Sequence, residues 1–311
     1  MELKSFADAS LAREILSKLY SAAIEVDLIE HGYDNLVGLV DRAYAVRFPR
    51  NQNAYLRSQY ERIVLKELED LTSVVIPKVL GENHDPPYVI TTFVKGTHLS
   101  SAEIRNLSEK DQISLGNTIG QFAYEMHTKL SVREAFRLRN EFGLDGLEEK
   151  PWTTYLKERL FEYTFPTERQ TDLAKKHYTL WQELHTEVHP VVVHNDLHNE
   201  NMLFERNTLV GVLDFGDTNI GSPEQEFRQL YRINDQVLGA AIDVYQNLSG
   251  RKLSSEASRA WALAQELAAY SERLAKNDTN HPSFLRAAKN LNAWLPESEW
   301  QELEPSIGSK Q

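Results

Sequence analysis

Asp196, Asn201 and Asp214 are the residues of this 311-residue chain best placed, by type and spacing, to do chemistry. The first two lie in His194-Asn195-Asp196-Leu197-His198-Asn199-Glu200-Asn201, directly after the apolar run Val191-Val192-Val193. The third opens Asp214-Phe215-Gly216-Asp217, directly after Leu209-Val210-Gly211-Val212-Leu213. Short apolar runs rich in Val and Leu read as buried strands, so each polar group begins where a strand ends. The pair is expected to form a hairpin-like unit presenting the three side chains near one another. Such a set suits phosphoryl transfer: one carboxylate accepts the proton of an attacking hydroxyl, and an amide and a second carboxylate offer oxygen ligands to Mg²⁺ bridging a triphosphate.

Asn201 lies five residues after Asp196, and Asp214 thirteen after Asn201. That is the kinase spacing His-x-Asp-x-x-x-x-Asn followed by Asp-Phe-Gly. In these residues the chain resembles the aminoglycoside phosphotransferase and choline kinase-like small-molecule kinases over about residues 20–290. Asn195 after His194, together with Asp214-Phe215-Gly216-Asp217, is most similar to the aminoglycoside 2″-phosphotransferase branch. The resemblance implies a two-lobed protein-kinase-like fold, with Asp196 as catalytic base, Asn201 and Asp214 as Mg²⁺ ligands, His194 orienting the loop, and ATP or GTP as donor.

The N-terminal third carries the counterparts the resemblance calls for. Gly32 and Asn35, between two strand-like runs, stand where the family has a turn closing over the nucleotide. Arg47, in Tyr44-Ala45-Val46-Arg47-Phe48, stands where many members have a phosphate-binding Lys; its planar, permanently charged fork suits two phosphate oxygens. Glu61 is the expected helix partner of Arg47, and backbone groups around Thr92 and Val94 are expected to meet the purine edge.

The elements that position these residues read as α+β. A helix at about 8–20 leads into strand-like runs at 24–29, 36–40 and 42–48, the last two turning around Asp41 as a hairpin. Helical spacing of Leu56, Tyr60, Ile63, Val64 and Leu68 marks a helix over 54–71. Strands are expected at Val74–Pro77 and Tyr88–Phe93, with a turn-rich Gly81–Pro87 segment between them. Beyond Gly96 the pattern is mostly helical (113–130, 152–188 and from 215 to about 295), with a strand-rich insert at 191–214 and a polar tail from Pro296 that is loose at its end. The expected organisation is a small antiparallel-sheet lobe for nucleotide over residues 1–93 and a larger helical, catalytic and substrate-binding lobe over 94–311.

Composition excludes several other classes. Apolar residues make up 41% and charged residues 26%, as in ordinary globular proteins. No apolar run reaches the roughly 18–20 residues of a membrane helix, and the N-terminus lacks a signal-peptide core. There is no cysteine, hence no disulfide, thiolate metal site or cysteine nucleophile. The net charge of −12 with no basic stripe argues against nucleic acid. The expectation is a cytoplasmic monomer or homodimer acting on a small-molecule alcohol, with no membrane or nucleic-acid partner.

Competing readings are weaker. A protein kinase needs three loop glycines where only Gly32 and Gly38 stand, and Ser222-Pro223-Glu224 follows Asp214 too closely for an activation segment. A histidine metal site on His185 and His189, or on His194 and His198, is broken by Pro190 and by a polar loop. A nucleotide-binding pseudoenzyme would be expected to lose the base or the metal ligands, which are all present. The acceptor is the least legible part. Glu224, Glu226 and Asp235 are candidate substrate-binding carboxylates, but Arg228 and Arg232 sit among them and bring the local field near neutral, against a polycationic acceptor.

Overall fold

The computed structural model describes residues 6–20, 25–30, 34–144, 152–185 and 189–304. Helix α1 (Ala9–Leu19), capped by Asp8, leads into strands β1 (Val26–Ile29), β2 (Asn35–Val40) and β3 (Tyr44–Pro49), and then helix α2 (Gln52–Glu67), capped by Asn51. Strands β4 (Val79–His84) and β5 (Pro87–Thr92) complete an antiparallel sheet of order β1-β2-β3-β5-β4. Alternation along β2 and β3 buries Leu36, Val40, Val46 and Phe48 against Ala12 and Leu16 of α1. The other faces of β3 and α2 leave Arg47 and Glu61 to meet.

Two strand expectations shift here. Val74–Pro77 is not part of the sheet; Val75 instead bridges Gly211, its N–H donating to the Val210 carbonyl at 2.8 Å. The fifth strand is β4, in the segment expected to be a turn, and the turn itself is confined to Asp85 and Pro86. Val79, Gly81 and Asn83 are partly buried between exposed neighbours, but Gly and Asn conceal that alternation in a hydrophobicity count.

Past the 93–97 connection come α3 (Ser101–Arg105), α4 (Glu109–Lys129), α5 (Val132–Glu141), α6 (Trp152–Phe161) and α7 (Glu168–Leu184). Strands β6 (Val191–Val193), β7 (Met202–Glu205), β8 (Thr208–Val212) and β9 (Asn219–Gly221) follow. The chain ends with α8 (Pro223–Phe227), a 3-10 turn at Arg228–Arg232, α9 (Asp235–Ser249), α10 (Ser255–Ala275), α11 (Pro282–Trp294) and α12 (Glu297–Leu303). The expected hairpin-like unit is built differently: β7 pairs with β8, while β6 pairs with β9 beyond the Asp-Phe-Gly turn. Within the polar tail, α12 buries Leu303 completely. None of the described helices is long and apolar enough to cross a membrane.

Two cores hold the helical part. One joins α4, the β7–β8 hairpin and α9; the other joins α6, α7, α10, α11 and α12. Helices α4 and α9 approach closely at Gly116 and Gly120. A Cβ on Gly120 would lie 2.3 Å from the Ala241 carbonyl oxygen, and one on Gly116 would lie 2.6 Å from the Val237 carbonyl oxygen. This crossing sets the depth of α4, whose Phe122 packs on His194 and whose His127 bonds Glu226.

The second core contains His185, whose ring packs 4.7 Å from Trp181. Its Nδ1–H donates to the Trp181 carbonyl, and Nε2 is buried with no partner among the described residues. Burial pushes its pKa down to about 4, against a smaller opposing effect of the Trp181 hydrogen bond. The neutral ring is favoured in the folded state, so its contribution is complete above the ordinary value of 6.5 and is lost as pH falls from there toward 4. A shift of this size corresponds to about 3 kcal/mol. Urea denaturation at pH 7 and pH 4 should therefore show a stability loss that His185→Asn reduces by about that amount; equal losses in both proteins would contradict it.

Candidate active site

Strand β6 delivers the chain to a loop that is held from beneath. The His194 side chain is fully buried between Phe122 and Phe215, its Nε2–H donating to the Leu213 carbonyl at 3.0 Å while Nδ1 accepts from the Asp196 amide at 3.3 Å. Asn195 takes a left-handed φ of 70°, which turns Asp196 toward the cleft. Arg228 fixes that turn by donating to the Asn195 carbonyl at 2.7 Å and to its side-chain oxygen at 3.1 Å.

Asp196 is held as a carboxylate. His198 Nε2 lies 3.2 Å and Asn201 Nδ2 3.1 Å from its Oδ2, and Gln229 Nε2 lies 3.4 Å from its Oδ1. Burial alone would raise its pKa, but His198, His194 and Arg228 outweigh burial and hold it down at about 2. Because Nδ2 of Asn201 is committed to Asp196, the amide oxygen is left as the donor atom for a cation.

Asp214 follows β8 and adopts φ 63° and ψ 72°, placing its carboxylate at the cleft with about half its surface exposed. Arg47 Nη2 lies 3.3 Å from Asp214 Oδ1, and Arg47 Nη1 lies 2.6 Å from Glu61 Oε1. The same Glu61 oxygen accepts from the Phe215 amide at 3.1 Å. Burial works against the Arg47 charge, but Glu61 and Asp214 outweigh it and raise its pKa. A single buried carboxylate thus ties β3, α2 and the Asp-Phe-Gly turn together.

The cleft between these parts has a volume of about 430 Å³ and is lined by Asn35, Arg47, Glu61, Asp196 and Asp214 among others. Sequence reasoning passed over three of its residues. Arg57 Nη1 lies 3.0 Å from Asp217 Oδ1 and 3.4 Å from Asp34 Oδ2. Arg57 stands one turn before Glu61 on α2. Asp217 closes the Asp-Phe-Gly-Asp run; burial raises its pKa, Arg57 opposes this, and Asp196, Asp214 and Asp34 reinforce it.

The remaining candidates are placed as follows. Gly32 lies outside the described residues. Thr92 donates its N–H to the Lys78 carbonyl and accepts from the Lys78 amide at its hydroxyl, both at 2.9 Å, so its N–H is committed to the sheet edge. Val94 is buried against Gly211 at the connection between the two parts. Glu226 does not face a substrate: it is fully buried, accepting from the His194 amide at 2.5 Å, from the Asn195 amide at 3.2 Å and from His127 at 3.3 Å. Asp235 pairs with Arg259 at 2.8 Å, and Glu224 is partly exposed at the start of α8.

The donor set suits Mg²⁺ held in company with phosphate oxygens. No group of three or more His, Asp or Glu that could hold a metal occurs among the described residues, as an all-protein cage would require. Mg²⁺ commonly takes only one or two carboxylates, the rest of its shell coming from waters and phosphate oxygens. Asp214, in a cleft where Asp34, Glu61, Asp196, Asp214 and Asp217 face Arg47 and Arg57, fits that mode together with the amide oxygen of Asn201, whose Nδ2 is bonded to Asp196.

Residues 25–260 match a family model described as the phosphotransferase enzyme family. No curated protein matches the chain. Among solved structures, wild-type aminoglycoside 2'-phosphotransferase-IIIa in its GDP complex is 18% identical, aligning over 92% of this chain and 98% of its own with a TM-score of 0.74. An ADP-bound aminoglycoside phosphotransferase, APH(2'')-Ib, is 22% identical over 92% and 97% at 0.65. The macrolide 2'-phosphotransferase MphH from Brachybacterium faecium is 16% identical over 92% and 98%, also at 0.65. At such identities these likenesses speak for a shared kinase-like fold.

Proposed function

The chain belongs to the phosphotransferase enzyme family, and from that premise we propose that it moves the γ-phosphate of ATP or GTP to the hydroxyl of a small molecule at Asp196. Residues 1–93 serve as the nucleotide lobe and 94–311 as the catalytic and acceptor lobe. The observation carrying this reading is the convergence of Asp196, Arg47, Glu61 and Asp214 on one cleft, although Arg47 and Asp214 are 167 residues apart.

Asp196, ionised throughout the neutral range, orients the acceptor hydroxyl and takes its proton as the O–P bond forms. Arg47 turns its fork toward the α- and β-phosphates, and Glu61 fixes that fork from behind. Asn201 and Asp214 would hold Mg²⁺, which supplies positive charge to the phosphate oxygens. Five carboxylates against two guanidiniums leave the cleft at −3, so a polyphosphate enters only with divalent cations. Purine contacts fall to the backbone around Val94, where the resemblance places the hinge.

Incubation with Mg·ATP or Mg·GTP and a mixture of small alcohols, followed by ³¹P NMR, tests this reading. A new phosphomonoester signal that requires both Mg²⁺ and Asp196 is expected. Nucleotide left intact, or converted only to inorganic phosphate, would overturn it.

A further inference from the structure

Resting on that reading, we propose that the phosphate acceptor is an alcohol that also carries an anionic group, a carboxylate or a phosphate, received by Arg232 and Arg286 beside Asp196. Gln229 and Arg232 approach Asp196 from outside the 430 Å³ cleft. Gln229 Nε2 donates to Asp196 Oδ1 at 3.4 Å, and Gln229 Oε1 in turn accepts from Arg232 Nη1. The catalytic carboxylate and the Arg232 guanidinium are therefore joined through one amide side chain.

Around Arg232 two guanidiniums share one hydrogen-bonded carboxylate. Arg232 Nε lies 2.6 Å from Glu266 Oε1, while Arg286 Nε and Nη2 each lie 3.4 Å from Glu266 Oε2, and Asn290 Nδ2 donates to Oε1 at 3.0 Å. One carboxylate thus serves two guanidiniums and an amide. The Glu266 side chain has 0% exposure, against 14% for Arg232 and 46% for Arg286, so the surface presented outward is cationic. Nη2 of Arg232 and Nη1 of Arg286 take no part in these bonds.

Two of the three candidate carboxylates for a polycation are committed elsewhere, and the third, Glu224, is partly exposed at the start of α8. Glu226 is buried under the catalytic loop, and Asp235 is neutralised by Arg259. Arg286, Asn290 and Trp294 fall at four-residue intervals on one face of α11, and Trp294 stacks on Tyr231 with ring centroids 4.5 Å apart. Paired guanidinium N–H groups recognise carboxylate and phosphate oxygens by fork geometry as well as charge.

The test is equilibrium binding to the whole protein saturated with Mg·ADP, by titration calorimetry, using D-glucuronate, glucose 6-phosphate, glucose and kanamycin. At least one anion should bind about tenfold or more tightly than glucose, and kanamycin more weakly than that anion. The stronger arm of glucuronate and glucose 6-phosphate identifies the anion as carboxylate or phosphate. Arg286→Gln, at an exposed position, should remove most of the anion preference while leaving glucose binding unchanged; Arg232→Gln should do the same if its melting point shows it folded. Anions binding no better than glucose, kanamycin binding best, or a preference undiminished in Arg286→Gln would each overturn the proposal. A melting shift with Mg·ADP in the same samples separates the two readings: nucleotide binding without anion preference refutes the acceptor class alone, and loss of both refutes the kinase reading too.

Discussion

Asp196→Asn is expected to lower kcat by about 10²–10⁴ with little change in the affinity for Mg·ATP. The substitution keeps shape and volume, and the amide oxygen can still accept from His198 and Asn201. What disappears is the ionised acceptor of the hydroxyl proton. His198, His194 and Arg228 all act to hold that carboxylate charged, with its pKa at about 2. In the proposed function, binding of nucleotide falls instead to Arg47, Asn201 and Asp214. A kcat within about threefold of the unsubstituted enzyme in a single-turnover assay would remove Asp196 from the role of base.

Glu226→Ala is expected to destabilise the protein by about 3–5 kcal/mol, the range for removing one partner of a buried charged network. The carboxylate accepts from two successive backbone amides, His194 and Asn195, and from the His127 ring, with no exposed surface. Burial alone would raise its pKa, but His127 and His194 bring it below the ordinary value, so the group is an anion in the fold. Its loss leaves two buried N–H groups at the base of the catalytic loop without acceptors. Activity should fall with stability, since the same amides set the direction of Asp196. Urea denaturation reads the effect, and a loss under about 1 kcal/mol would show that Glu226 does not anchor the loop.

These two residues mark how far the sequence could be read. Asp196 was legible because its chemistry is local: strand, polar loop, and an Asn at fixed spacing. Glu226 has the same side-chain chemistry as a substrate-binding acid, and nothing in Ser222-Pro223-Glu224-Gln225-Glu226 distinguishes the partly exposed Glu224 from the fully buried Glu226. That difference arises only when α8 packs under β6 and α4 brings His127 across 99 residues. Arg47 and Glu61 could be paired from sequence because a strand and the following helix are neighbours. Arg57 could not, since its partners Asp34 and Asp217 lie on opposite sides of the cleft.

Strand pairing shows the same division. The β2–β3 hairpin followed from adjacent apolar runs around Asp41. The partner of Val191–Val193 did not, because β9 is three residues long and carries Asn219 and Gly221, neither a strand former by propensity. Its position is fixed by pairing and by Arg139, whose Nη1 donates to the Thr218 carbonyl at 2.7 Å. Val75 reads as a strand residue and does make strand-like bonds, but to β8 rather than to the N-terminal sheet.

The proposed function requires that the cleft receive a nucleotide through Mg²⁺ on Asp214. Thermal melting with ATP and with GTP, each with and without Mg²⁺, on the unsubstituted protein and on Asp214→Ala, tests it most directly. A ligand at about 100 times its dissociation constant adds roughly 2.7 kcal/mol, which should raise the midpoint of a chain this long by at least about a degree or two. The account predicts a rise that needs Mg²⁺ and is lost in Asp214→Ala, with the larger rise identifying the donor purine. No rise with either nucleotide, or an equal rise in Asp214→Ala, would contradict it.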